Sequence, residues 1–178
     1  MKDKRWLFWF ILIGTLVLDQ VVKSSIRKAL VEGQSLGKPW PGVFEITLTF
    51  NKGIAFGLAQ GIGLFVTPIA IGIAGLAIYH AAVRHETETP LNLTMFALMA
   101  SGALGNLYDR VIHGRVTDMF WFRLINFPVF NVADACITAA GVLIVFSWVR
   151  DAITADPNQA APSAPSAAPT EQADSAVS

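Results

Sequence analysis

Charge is scarce in this chain: only 15% of its 178 residues are Asp, Glu, Lys or Arg, where a soluble domain draws about a quarter from those four types. The thirteen basic and thirteen acidic side chains cancel, and no basic cluster offers the electrostatic footprint of nucleic-acid binding. Cysteine is nearly absent. Cys136 stands alone, which excludes an intrachain disulfide and a multi-cysteine metal site. Histidine is limited to His80, His85 and His113. Without a His-Glu-x-x-His run a zincin mechanism has no support, and no Cys–His or Ser–His pairing is evident. What is plentiful is apolar: 53% of residues are hydrophobic, with a mean hydropathy of +0.51. They come in long blocks, which points to a membrane protein.

Four blocks stand out, at about 6–24, 62–83, 91–108 and 132–149. Each approaches the ~20 residues that a helix needs to cross a ~30 Å hydrocarbon core. The first follows a basic head, Lys2 to Arg5, like a secretory signal. No small-x-small cleavage site follows it, so it reads as an uncleaved span. Four spans put both termini on one side. A plain count gives eight Lys and Arg on the opposite side against five beside the termini. The basic head of the first helix nevertheless favours a cytoplasmic N-terminus, and with it a cytoplasmic C-terminus. Trp6, Trp9 and Trp148 near one face and Trp40 and Trp121 near the other fit interfacial belts.

Between the first two spans, Phe44, Ile46, Leu48 and Phe50 alternate with Glu45, Thr47 and Thr49. This period of two predicts a half-buried strand in an outer strand region, 43–57, with a turn at Asn51-Lys52-Gly53. Such a strand needs partners for its backbone, so a small interfacial sheet is expected, completed by part of the 115–130 loop. From 152 to 178 the composition turns to Ala, Pro and Ser, which predicts a disordered tail beyond a membrane domain at 1–151.

Polar residues in or beside apolar spans are the informative ones, because hydrocarbon penalises them. Asp19 lies thirteen residues beyond Trp6, or ~20 Å along a helix axis, towards the far end of the first span. Lys23 follows one turn later, in the favourable acid-before-base order, and its long stem can snorkel to the interface. The third span ends at Asn106-Leu107-Tyr108-Asp109-Arg110, and Gly102 and Gly105 within it permit close backbone approach. Asp118 lies in the next loop, and Asp134 in the first turn of the fourth span. Topology alone therefore carries Asp19, Asn51, Asn106, Asp109, Arg110, Asp118, Asn131 and Asp134 to one side. Each has a plainer reading. Asp19–Lys23 suits a structural ion pair, and Asp109–Arg110 a terminal pair. Asn131-x-x-Asp134 suits a helix cap. Cys136 suits a small core residue.

Five blocks, in this order between four spans, resemble the bacterial lipoprotein signal peptidases over about residues 6–150. They are Asp19-Gln20-Val21-Val22-Lys23, Asn51 to Gly57, Gly102 to Arg110, Val116-Thr117-Asp118-Met119 and Phe130-Asn131-Val132-Ala133-Asp134. Three positions depart from the family pattern: Ser101 in place of a glycine, Met119 in place of a phenylalanine, and Ile54 in place of a small residue. The resemblance implies a mainly α, integral membrane fold of four transmembrane helices, with a small β-sheet on the outer (periplasmic) side. It implies a membrane aspartic endopeptidase with Asp118 and Asp134 as the catalytic pair. Asn51, Gly53, Asn106, Arg110 and Asn131 would orient substrate or support the pair, and Asp19, Lys23 and Asp109 would brace the site. The substrate would be a diacylglyceryl-modified prolipoprotein, cut just before the lipidated cysteine. The enzyme would be monomeric in the lipids of the bacterial inner membrane, with its active site near the outer leaflet. No metal or organic cofactor is expected.

Two carboxylates suit such chemistry: when they are close they cannot both ionise cheaply, so one pKa rises and the pair shares a proton. The α-helix N-terminus at Asp134 favours its anion. Rival readings are a proton-coupled carrier, which wants acids near mid-bilayer and broken helices, and a non-catalytic lipoprotein binder.

Overall fold

A computed structural model of the chain describes residues 3–53 and 67–154. In chain order the elements are α1 (Arg5–Ala29), β1 (Ser35–Trp40), β2 (Phe44–Asn51), α2 (Thr67–Val83), α3 (Pro90–His113), β3 (Val116–Trp121), a 3-10 turn (Arg123–Ile125) and α4 (Val132–Thr154). Of the sequence-based expectations, the start of the second span at 62–66, the strand region 54–57 and the tail from 155 lie outside the described residues; residues 152–154, expected in the disordered tail, instead form the last turn of α4.

The helices are inside out by the standard of a soluble protein. Those of α2 buried in the bundle are Ala70, Ala74, Ala77 and Ala81, a single stripe at helical spacing. Ile69, Ile71, Leu76 and Val83 point away from the protein. α4 likewise buries Ala133, Cys136, Ala140 and Ser147 and turns Val142, Val145, Phe146 and Trp148 outward. Water would drive the large side chains in. Lipid removes that drive and leaves close packing of small residues as the attraction between helices. Among the described residues, two helices, α1 and α4, are long and apolar enough to cross a membrane.

α3 is the central helix, packed against α1, α2 and α4. Its start is well specified: Pro90 occupies the first turn, and the Thr89 hydroxyl accepts the Asn92 N–H at 3.1 Å. It ends at Gly114, whose φ of 67° is the left-handed conformation of a helix C-cap. At one end of the bundle, Phe8 and Leu12 of α1 pack with Ala77 and Ala81 of α2 and with Leu93, Ala97 and Ala100 of α3. Glycine sets the approach at the other end. A methyl group on Gly102 would stand 2.5 Å from the Ala133 carbonyl, and one on Gly105 would stand 2.6 Å from Asp19 Oδ2. Ser101, at the first departure from the family pattern, is buried and donates its hydroxyl to Leu98 O at 3.1 Å.

The sheet is antiparallel in the order β1-β2-β3. β2 occupies the alternating segment, and β3 comes from the 115–130 loop as the pattern predicts. The third strand, β1, was not foreseen: Ser-Leu-Gly-Lys-Pro-Trp has no alternation. It forms because β2 offers a free edge, with Ser35 opposite Thr47 and Trp40 opposite Phe44. On the other side, Thr49 faces Asp118 and Asn51 faces Val116. After β3 the chain loops out and returns. Phe130 exchanges backbone hydrogen bonds with Phe120, at 2.8 and 3.0 Å. That bridge delivers Asn131 and the first turn of α4 beside Asp118.

Candidate active site

The polar residues meet where α1, α3, β3 and α4 converge. Asp118, on β3, is buried, and its Oδ1 accepts the Asn131 amide at 2.6 Å. The Asn51 side chain gives it a second hydrogen bond. Asp134 is partly buried. Its Oδ1 accepts the Asn106 amide at 2.7 Å, and its Oδ2 accepts the Asn131 backbone N–H at 3.2 Å. In return the Asn131 side-chain oxygen accepts the Asp134 N–H at 3.0 Å. This is the reciprocal cap that Asn131-x-x-Asp134 predicts, with both partners also committed to the neighbouring carboxylates.

The two amides are oriented by their neighbours. Lys23 Nζ, which has only protons to give, stands 3.0 Å from Asn106 Oδ1. The Asn106 oxygen must therefore face the lysine, leaving its NH2 for Asp134. Asn131 is fixed in the same way: its oxygen takes the Asp134 N–H, so its NH2 faces Asp118 and, at 3.1 Å, Asn106 Oδ1. An Asp118–Asn131–Asn106–Asp134 chain results, with a donor aimed at each carboxyl.

Lys23 is fully buried, so the expected snorkelling does not occur. It lies 2.9 Å from Asp19 and 3.7 Å from Asp109, held by partners stronger than interfacial water could replace. Asp19 does more than pair with it. Asp19 Oδ1 accepts the Ala133 N–H at 2.9 Å, an otherwise orphaned donor at the start of α4. The Gln20 amide donates to Asp19 Oδ2 at 2.9 Å and to Gly105 O at 3.2 Å.

Asp109 and Arg110 do not pair with each other as a terminal couple. Neighbours on a helix point about 100° apart, and these two diverge. Asp109 Oδ2 accepts the Thr117 N–H at 2.8 Å, while Arg27 lies 3.4 Å from Oδ1 and donates to Thr117 Oγ1 at 2.8 Å. Arg110 instead reaches Gly53 O and Asn106 O, both at 3.4 Å, and its buried Nε has no hydrogen-bond partner among the described residues. Gly53 donates its N–H to Asn51 Oδ1 at 2.8 Å, closing the Asn51-Lys52-Gly53 turn. Arg27, Gln20 and Thr117 were missed from sequence. Gln20 and Thr117 sit inside matching blocks, and Arg27 falls one turn beyond Lys23 on the same helix face, the signal that could have found it.

Burial, reinforced by the negative charge of Asp134, pushes the Asp118 carboxyl up to about 7. The Asn131 amide, Lys23 and Asn51 pull against that rise. The cluster as a whole sets four carboxyls (Asp19, Asp109, Asp118, Asp134) against three cations (Lys23, Arg27, Arg110). One proton on the Asp118–Asp134 pair makes it neutral, which is the state a buried cluster favours. Among the described residues, no three His, Cys, Asp or Glu side chains gather so as to hold a metal ion.

The family profile described as Signal peptidase (SPase) II matches residues 11–150. The lipoprotein signal peptidase of Gloeobacter violaceus is 36% identical over 151 residues, covering 84% of this chain and 86% of the relative. That of Gloeothece citriformis is 37% identical over 142 residues, covering 77% and 84%. Among solved structures, one bacterial membrane enzyme superposes with a TM-score of 0.76 at 28% identity, over 84% of this chain and 92% of its own. Another superposes at 0.70 and 29% identity, over 81% and 93%.

Proposed function

This chain belongs to the signal peptidase II family, and from that premise we propose that Asp118 and Asp134 are the catalytic dyad with which it removes signal peptides from prolipoproteins. It is a lipoprotein signal peptidase, an aspartic endopeptidase. The observation that carries the dyad is the amide chain through Asn131 and Asn106. Two carboxyls are held by donors whose orientation is set from behind, by Lys23 and by the α4 backbone.

The roles are assigned from the hydrogen bonds of each carboxyl and from the helix end at Asp134. Asp118, with its carboxyl raised to about 7, holds the shared proton below that pH. Asp134 accepts the Asn106 amide and the Asn131 N–H at the positive end of α4, an arrangement matched to a carboxylate. Asp134 takes a proton from the attacking water. Asp118 donates its proton to the scissile carbonyl oxygen as the tetrahedral oxyanion forms. Collapse of that gem-diol intermediate breaks the C–N bond, returns one hydroxyl proton to Asp118, and sends the proton taken by Asp134 to the departing amine. Arg110, with Nε unpartnered among the described residues, and Gly53, Asn51, Asn106 and Asn131 line the approach and hold substrate backbone or dyad. Asp19, Lys23 and Asp109 brace the elements beneath.

The four helices span the inner membrane with both termini cytoplasmic, so that the sheet and dyad lie at the outer leaflet and 1–151 forms the peptidase domain of a monomer. The inside-out packing of α2 and α4 and the length of α1 and α4 support this. The scissile bond just before a diacylglyceryl-cysteine would reach the dyad at that height with its acyl chains still in lipid. No metal or organic cofactor takes part. The test is processing of purified diacylglyceryl-prolipoprotein in bilayers by wild type, Asp118→Asn and Asp134→Asn, each checked for folding and substrate binding. Loss of turnover in both variants is expected. Near-wild-type cleavage by either one refutes the dyad, and binding without cleavage by folded wild type would establish a binder instead.

A further inference from the structure

The sheet ends, away from the dyad, in an apolar knuckle built from two turns. Trp40, Leu124 and Ile125 are 63%, 71% and 70% exposed, with Val43 and Phe122 beside them also exposed. The patch is contiguous: the Leu124 N–H donates to Val43 O at 3.3 Å, and the Phe44 ring lies 4.8 Å from Phe122 and 6.3 Å from Trp40. It is also locked. The Trp40–Val43 turn closes with a 3.0 Å backbone hydrogen bond and has Gly42 at φ 75°. The buried Glu45 carboxylate ties both turns together, accepting from the Ser35 hydroxyl at 2.7 Å, Gly42 N–H at 2.8 Å and Arg123 at 2.9 Å. Those hydrogen bonds hold its carboxyl down at about 2, so the lock stays charged at any working pH. A loop in water tucks Leu and Ile inward; this one presents them on a fixed backbone.

Two further observations choose the occupant. An aromatic chain joins the knuckle to the start of α4: Phe122 stacks on Phe130 at 5.7 Å, and Phe130 precedes Asn131. The patch is thus continuous with the surface of a helix that meets lipid. The exposed charge is also one-sided: between residues 33 and 44 and between 119 and 131 the only charged side chains are Lys38 and Arg123, and the Glu45 carboxylate beside Arg123 is buried. Aromatic and aliphatic tips with cationic flanks match the headgroup–acyl boundary of an anionic leaflet.

We propose that this knuckle docks into the lipid leaflet that α4 enters, as an anchor separate from the helices, with Trp40, Leu124 and Ile125 among the acyl chains and Arg123 and Lys38 at the phosphates. It rests on the membrane orientation given under the proposed function. Asp118 lies three residues before Trp121, ~10 Å along β3, between the helical bundle and this anchor. Docking therefore fixes the height of the carboxyl over the bilayer.

The test uses the full chain in phosphatidylethanolamine–phosphatidylglycerol vesicles. A nitroxide is placed at Leu124→Cys or, as a control in the α1–β1 loop, at Glu32→Cys, each with Cys136→Ala. The label at 124 is expected to favour collisions with oxygen over a soluble nickel chelate, by about tenfold relative to 32. Equal nickel access at both sites overturns docking, and so does dipolar broadening between labels at 124, which would mean a second copy covers the patch. Leu124→Glu with Ile125→Glu is expected to slow processing about tenfold in these vesicles and less than about twofold in detergent micelles. Equal losses in both media overturn the proposal. Cleavage by wild type in the same vesicles reports on the peptidase reading independently.

Discussion

Along α3, the first half buries Leu93, Ala97 and Ala100 against Phe8, Leu12, Ala77 and Ala81. The second half buries Asn106 and Asp109 against Lys23, Arg27 and Asn131. The same helix is thus held by dispersion at one end and by a charged network at the other. Dispersion is non-directional and spread over many weak contacts, so a truncation costs packing and little else. The network is directional: each group sets the orientation of the next, so one deletion leaves a partner buried and unsatisfied and turns a donor away from a carboxyl.

The comparison is broken most sharply by Asp118→Asn, which should lower kcat by about a thousandfold in single-turnover processing, with the fold intact by circular dichroism. Lys23→Met comes next. It leaves Asp19 and Asp109 without their fully buried cation, which should cost about 3–5 kcal/mol in denaturant titration. It also frees Asn106 to flip, so the residual folded protein should process slowly. Adding Asp19→Asn should restore part of the stability but not the rate. Leu93→Ala, at the dispersive end, should cost about 2 kcal/mol of stability with processing per folded molecule within about twofold of wild type. A comparable loss of rate there would erase the distinction between the two ends.

Two smaller effects sharpen the electrostatic side. Processing should fall as pH rises through about 7, where Asp118 gives up its proton, and a pH–rate profile would show it. Stability carries the same sign. The folded chain holds this proton up to about 7 against 3.8 for the unaffected group, so between those values the native state binds more protons than the unfolded state and stability falls as pH rises. Asp118→Asn should therefore raise the melting temperature more at pH 8 than at pH 4, and equal shifts would contradict the raised carboxyl. Arg27→Met removes the guanidinium from Thr117 and Asp109, at the residue just before Asp118. It should reduce kcat by about three- to tenfold at unchanged KM, with partial recovery in Arg27→Lys.

Some of this was legible in the residues. The apolar blocks at 6–24, 91–108 and 132–149 lie within α1, α3 and α4, which run a few residues longer because Arg27, Arg110 and Asp151 continue the helices past the apolar window. The alternation at 44–50 marked β2, and Asn131-x-x-Asp134 marked a cap. Strand β1 left no pattern because its conformation comes from the edge it pairs with. The spacing of Lys23 on α1 predicts snorkelling because it says nothing about the side chains of α3 behind it.

What the sequence by itself determined is local or additive: which segments are apolar for the length of a helix, where caps and turns fall, and which polar residues reach the same end of the bundle. These depend on neighbours within a turn or two and on counting spans. Only the tertiary structure decided which way the Asn106 and Asn131 amides face, that burial raises the Asp118 carboxyl to about 7, and that Asp109 turns to Thr117 while Arg110 turns to Gly53. Those are properties of groups brought within about 3 Å of one another from α1, α3, β3 and α4. At that range, in a desolvated cluster, hydrogen-bond direction and charge outweigh any preference the isolated segments carry.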